Sequence, residues 1–187
     1  GANNSVIFAR KGRDARTIER QVFNGLSTVD LAQRVFEAQE RYHADGLMID
    51  GGGVGGGVVD NVRNMHLHCF EVQFGGKDIV AAAAWGNTGE KYANNRAAMY
   101  GAARSWLKGG SLPNDPVLKQ QMLSIRYTFN NKDEILLERK EDLVDEDGNG
   151  ISVDDIDAFV LTFAYPLASH DAAGGDYPKK PAIEFEY

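Results

Sequence analysis

The 187-residue sequence has one cysteine, Cys69, five prolines, four histidines and no long apolar run. A single cysteine excludes an internal disulfide framework and suits a reducing cytoplasm. Cys69 reads as a small buried hydrophobe rather than a catalytic thiol. No stretch approaches the roughly 20 apolar residues that span a bilayer, so no membrane partner is expected. The opening GANNSVIFARKGRDAR lacks the charged-then-apolar pattern of a secretory signal. His43, His66, His68 and His170 do not stand at metal-ligand spacings. GGK at 75–77 lacks the first glycine and the Ser/Thr of a phosphate-binding loop, which excludes an ATPase site there. GGGVGGG at 51–57 is no dinucleotide fingerprint either, because no acid ends the following strand at the right distance.

What is present is an ordinary soluble balance, 43% hydrophobic and 25% charged, in a length that suits one sizeable domain. Residues 1–165 are expected to form it, with 166–187 as a loosely packed tail. The net charge of −7 argues against a phosphate-binding surface. Its distribution softens that argument. Arg10, Lys11, Arg13, Arg16 and Arg20 crowd the first strands, and Lys91, Arg96, Arg104 and Lys108 sit on a later helix. The acids gather at 133–157, where bound divalent cations would offset part of them.

Patterning predicts two strands, SVIFAR (5–10) and RTIERQVF (16–23), joined by KGRD. Ser27 or Thr28 caps a helix to about Ala44, with Leu31, Val35, Ala38 and Tyr42 on one face. A buried strand GLMID (46–50), a short helix from Val58 and a strand LHCFEVQF (67–74) follow. This helix–strand–helix–strand order predicts an α/β core with parallel pairing, where function sits at the carboxyl ends of strands. A loop at 75–90, a helix within 91–110, another at 116–123, a hairpin around NNKD (130–133) and a helix from Ser152 to about Ala164 complete the chain. AIEFEY (182–187) is a possible edge strand.

Three groups of acids bear on function. DEDGNG opens like a calcium loop, with Asp145, Asp147 and Asn149 ahead of Gly150, but position twelve is Ile156 where a bidentate Glu is needed. An ordinary turn accounts for it better, the calcium-binding or docking module over 145–156 being the alternative. Asp50 ends a buried strand and opens onto glycines, so it either faces a ligand or caps the next helix. Asp154 and Asp157 lie one helical turn apart on one face, with Asp155 elsewhere. Asp154 and Asp155 suit a first turn, where they complement the helix dipole. Asp157 precedes the apolar run AFVLTFA, where a charge needs a partner, and a metal is one such partner.

Several blocks in order resemble the nuclease domain of the tailed-bacteriophage terminase large subunit: GANNSVIFAR, LMIDGGGVGGGVVDNVR, VQFGGK, YANNRAAMYGAARSWLKGGSLPNDPVL, ILLERKEDL and SVDDIDAFVLTFA. The resemblance spans about residues 1–165 and implies an RNase H-like α/β fold, a mixed sheet flanked by helices. It implies a two-metal endonuclease, using Mg²⁺ or Mn²⁺, that cuts concatemeric double-stranded viral DNA during packaging in the bacterial host cytoplasm. By position, Asp50 and Asp157 are the metal ligands and Asp154 a supplementary one. Arg13, Arg16, Arg96 and Lys140 are DNA-contact candidates, with packing the competing role for Arg96 and a solvated surface position the expectation for Lys140. An upstream ATPase motor domain, the portal and the small terminase subunit are the implied partners; an RNase H-like resolvase is the related alternative. The family's first catalytic aspartate lies on a central strand just before the turn that matches GANN. That strand and acid are therefore expected to be missing here, the chain to be a fragment, and its own cutting to be weak or absent. The same reading expects an open place in the sheet, filled by AIEFEY or by a neighbouring molecule.

Overall fold

The computed structural model describes residues 4–18, 20–78, 89–145 and 147–167. Most of the loop expected at 75–90, AIEFEY and most of the tail lie outside those residues. Strands β1 (Asn4–Ile7) and β2 (Gln21–Asn24) pair antiparallel, with Asn4 opposite Asn24. Both are shorter than the hydrophobic pattern suggests. The Asp14 carboxylate accepts the backbone N–H groups of Arg16, at 2.7 Å, and Thr17, at 3.1 Å, so this segment turns instead of extending. Lys11 and Asp14 exchange backbone bonds of 2.8 and 2.9 Å, and Gly12 takes the positive φ of 58° the turn requires.

Helix α1 (Thr28–Tyr42) starts where Ser27 Oγ accepts the Asp30 N–H, and ends at His43 in the left-handed region. It buries Ala32, Val35 and Ala38. Strand β3 (Met48–Asp50), helix α2 (Gly55–Asn64) and strand β4 (Phe70–Val72) form the expected crossover, with β3 and β4 parallel. Val58, Val59 and Val62 of α2 join Ala32, Val35, Ile49 and Cys69 in one apolar cluster. Gly55 has to be glycine: a Cβ there would collide with the Asp50 carbonyl, so it lets α2 start hard against the end of β3.

Helix α3 (Asn95–Leu107) is capped by Asn94, and α4 (Pro116–Ser124) by Asp115 with proline at its first position. Strands β5 (Tyr127–Phe129) and β6 (Ile135–Leu137) make the hairpin expected around NNKD, closed by Asn130 Oδ1 accepting from Lys132 and Glu134. A 3₁₀ turn (Lys140–Asp142) then leads to α5 (Asp154–Leu161). The cap of α5 differs from expectation. Val153 is the N-cap residue, and Ser152 spends its hydroxyl on Asp154 Oδ2 at 2.6 Å.

Helix α5 is the centre of the larger core. Phe159 lies 5.2 Å from the ring centres of Phe8 and Phe163 and 5.5 Å from Trp106. Phe159, Phe163 and Trp106 are fully buried, and truncating one such ring to alanine costs about 3–5 kcal/mol. One helix thus packs against β1, β3, α3 and α4 together. The result is a mixed α/β architecture with antiparallel and parallel strand pairs and flanking helices, as the sequence implies. Among the described residues the ladders are two-stranded, and none joins β1 to β3.

Candidate active site

Asp50 stands at the carboxyl end of β3, half-buried, with Oδ1 accepting the Gly52 N–H at 3.0 Å. Asp157 comes from a separate element, the first turn of α5, and is 6% exposed. Its Oδ1 accepts the Tyr100 hydroxyl at 2.7 Å and lies 3.5 Å from Arg96 Nε. Its Oδ2 has no aligned hydrogen-bond donor, but the Lys140 ammonium is 2.5 Å away, so this oxygen is paired as an ion. Lys140 is thus a surface lysine with a buried partner. It is exposed, as expected, but its ammonium lies 5.2 Å from the centre of the Phe74 ring and is paired with the buried Asp157 carboxylate.

Asp50 lies within reach of the Asp157 charge. Burial pushes the Asp50 carboxyl above its ordinary value, the negative charge of Asp157 adds to that, and the Gly52 N–H and Lys140 pull the other way. Burial, followed by the Asp157 charge, raises the Tyr100 hydroxyl well above its ordinary value, so it serves as a donor to Oδ1. Lys140 thus pairs with Asp157, and the charges of both reach Asp50, a second hard carboxylate on the neighbouring element. That donor set fits a divalent cation, with Lys140 standing in for it, and Asp50 and Asp157 would be two of its ligands. Among the described residues no third His, Cys, Asp or Glu completes a ligand cluster.

The other expected residues are distributed differently. Asp154 lies one turn before Asp157, but its Oδ2 accepts the Asn4 N–H at 3.3 Å and the Ser152 hydroxyl. Among the described residues it makes no hydrogen bond or ion pair with Asp50, Asp157 or Lys140. Arg96 is buried, its Nη1 donating to the Glu138 carbonyl at 2.9 Å and its guanidinium 5.4 Å from the Tyr100 ring centre. Arg13 and Arg16 are exposed in the turn after β1. Arg13 donates to the Trp106 carbonyl at 3.3 Å, ten residues along α3 from Arg96 and so about 15 Å from it by helical rise.

The basic run 10–20 divides as well. Arg10 stacks 4.2 Å from the Phe163 ring centre and bonds Thr162. Arg20 pairs with Asp155 at 2.5 Å and Asp115 at 2.7 Å. Tyr100 was not legible as a site residue, although its place four residues after Arg96 puts both on one helical face. The DEDGNG segment folds as a turn: Asp145 Oδ1 accepts the N–H groups of Asp147 and Asn149, and Gly148 has φ 84°. Ile156, its twelfth position, is buried, and its N–H donates to Gln121.

No protein-family model matches the sequence, and no curated protein is detectably similar to it. Solved structures do match. The nuclease domain of the large terminase subunit of bacterial virus Sf6 superposes with a TM-score of 0.64 at 15% identity, over 89% of this chain and 90% of that one. A point variant of the same domain, solved with manganese and beta-thujaplicinol, gives 0.65 at 15% identity over the same shares. The large terminase nuclease from thermophilic phage G20c, with bound cobalt, gives 0.51 at 14% identity, over 77% of this chain and 65% of that one. At such identities the likeness is one of fold, and the fold of this chain is that of the large terminase nuclease domains.

Proposed function

We propose that this chain is the nuclease domain of a terminase large subunit, a divalent-metal-dependent endonuclease that cuts concatemeric double-stranded viral DNA during packaging in the host cytoplasm. The observation that carries the reading is the buried Asp157 carboxylate on α5, paired with the Lys140 ammonium, with Asp50 at the carboxyl end of β3 within reach of both charges. The fold likeness supports it. Bound Mg²⁺ or Mn²⁺ would supply an activated water and stabilise the leaving oxygen. Asp50 is braced by the Gly52 N–H and Asp157 by Tyr100, so both carboxylates are oriented before an ion arrives. Lys140 neutralises Asp157 until then, and becomes a candidate phosphate contact once displaced. Arg13 and Arg16 remain candidates for the DNA backbone, and Asp154 for a supplementary ligand. An ATPase motor domain in the same polypeptide, a portal and a small subunit belong to the same reading.

The test is a manganese soak of crystals, locating the ion by its anomalous signal, together with cleavage of linear and branched DNA. Manganese bound by Asp50 and Asp157 is the expected outcome, with Asp50→Asn abolishing both the ion and any cutting. Manganese seated only among Asp145, Asp147 and Asn149 would favour the calcium-loop alternative and overturn the proposal. Cutting restricted to branched DNA would point to a resolvase.

A further inference from the structure

Asp157 offers its two oxygens to different surroundings. Oδ1 faces α3, where the Tyr100 hydroxyl donates at 2.7 Å and Arg96 Nε lies at 3.5 Å. Oδ2 faces the cation, at present Lys140. Arg96 and Tyr100 stand four residues apart, one above the other on the same helical face. The Arg96 guanidinium is also fixed at its far end, through Nη1 to the Glu138 carbonyl two residues before Lys140. One side chain therefore ties together the carboxylate and the segment that carries its counter-ion. Arg96 is 8% exposed, and neither its Nε nor its Nη2 has a hydrogen-bond partner among the described residues, so it meets Oδ1 as a charge. Burial of that kind is costly and is accepted where a charge is needed.

We infer that Arg96 and Tyr100 are positioning residues for Asp157, holding Oδ1 so that Oδ2 is the oxygen presented to a divalent cation. The inference rests on the metal-site reading above and extends it to α3. A carboxylate free to rotate offers either oxygen, or both, and pays orientation entropy when it ligates. The Tyr100 hydroxyl and the Arg96 charge on Oδ1 restrict that freedom and leave Oδ2 for the ion. Outer partners of this kind change metal affinity or activity by about 10–100-fold. Simple core filling does not explain Tyr100, since phenylalanine would fill the same space without a hydroxyl that has to be satisfied.

The experiment is a Mn²⁺ titration of the purified chain, reading free Mn²⁺ by electron paramagnetic resonance, with melting curves on the same samples. The proteins are the parent, Tyr100→Phe, Arg96→Gln and Asp50→Asn. The expected result is loss of saturable binding in Asp50→Asn and about tenfold weaker binding in Tyr100→Phe and Arg96→Gln. A purely structural role would lower the melting temperature and leave the dissociation constant of the folded protein unchanged. Parental affinity in a folded Tyr100→Phe overturns the inference, while loss of binding in Asp50→Asn leaves the metal site standing. Parental affinity in Asp50→Asn removes the metal site, and this inference with it. If Tyr100→Phe fails to melt cooperatively, the Arg96→Gln isotherm decides.

Discussion

Asp50 and Asp157 carry the same group but are held in opposite ways, and substitutions should tell them apart. Asp157 is ion-paired to Lys140 and lies beside buried Arg96. Removing it leaves those cations without their partner, and breaking a buried pair in this way costs about 3 kcal/mol. Asp157→Ala should therefore lower the melting temperature clearly in metal-free buffer. Asp50 makes one backbone hydrogen bond and sits close enough to Asp157 to feel its charge. Asp50→Asn should leave the melting temperature of the metal-free protein unchanged or raised. Equal destabilisation by both variants would count against this division. Lys140 supplies a third contrast at this scale. If its ammonium occupies the place of an ion, Lys140→Met should bind Mn²⁺ more tightly than the parent, read from the same isotherm. Weaker binding would show that Lys140 helps to build the site instead. Asp50 and Asp157 were legible because an acid at the end of a buried strand, or at the edge of an apolar run, is an anomaly that local sequence exposes. Lys140 stood out only as a DNA-contact candidate and Tyr100 not at all, because their meaning depends on pairing with Asp157, in the case of Tyr100 across 57 residues of chain.

At the scale of elements, the helices were easier to read than the strands. Ser27 and Asn94 cap α1 and α3 with their own side chains, and such caps are local devices. The strands are three or four residues long, and their ends are set by side chains that capture backbone donors, as Asp14 does after β1. Periodicity carries no record of that. The caps also reach beyond their own helices. Asp115 accepts from Val117 and Leu118 at the start of α4 and pairs with Arg20, which in turn holds Asp155 on α5. One carboxylate thus joins the start of β2 to two helices. The Leu118 N–H, and after it Arg20, hold the Asp115 carboxyl below its ordinary value. Its contribution is therefore fully present above the ordinary aspartate range, about 3.9, and is lost as pH falls through the lowered folded value. Asp115→Ala should cost about 1–2 kcal/mol at neutral pH. The gap from the parent should narrow in acid, as denaturant melts at two pH values would show. A gap independent of pH would mean that helix propensity, rather than the charged cap, sets the cost.

For the whole molecule, inward use of arginine changes how the charge balance is read. Arg10, Arg20 and Arg96 are engaged with groups inside the fold, so they cannot form the phosphate-binding strip that their sequence positions suggest. A chain of net charge −7 whose arginines are partly turned inward has more need of bound cations beside a polyanion. Ligand linkage makes this measurable on the intact chain. A cation that binds only the folded form stabilises it by about 2.7 kcal/mol at a hundred times its dissociation constant. Mn²⁺ should therefore raise the melting temperature, and the increment should grow with the logarithm of concentration once the site is saturated. The two acidic regions make opposite predictions for where that increment originates. If the ion sits between β3 and α5, Asp50→Asn abolishes the shift and Asp145→Ala leaves it whole, because Asp145 spends its carboxylate on the N–H groups of its own turn. If the turn at 145–150 is the true site, the two variants exchange behaviour, and Ca²⁺ then matches or exceeds Mn²⁺ since that loop offers the larger oxygen cage. Melting curves of three proteins in two metals are enough to decide between these sites.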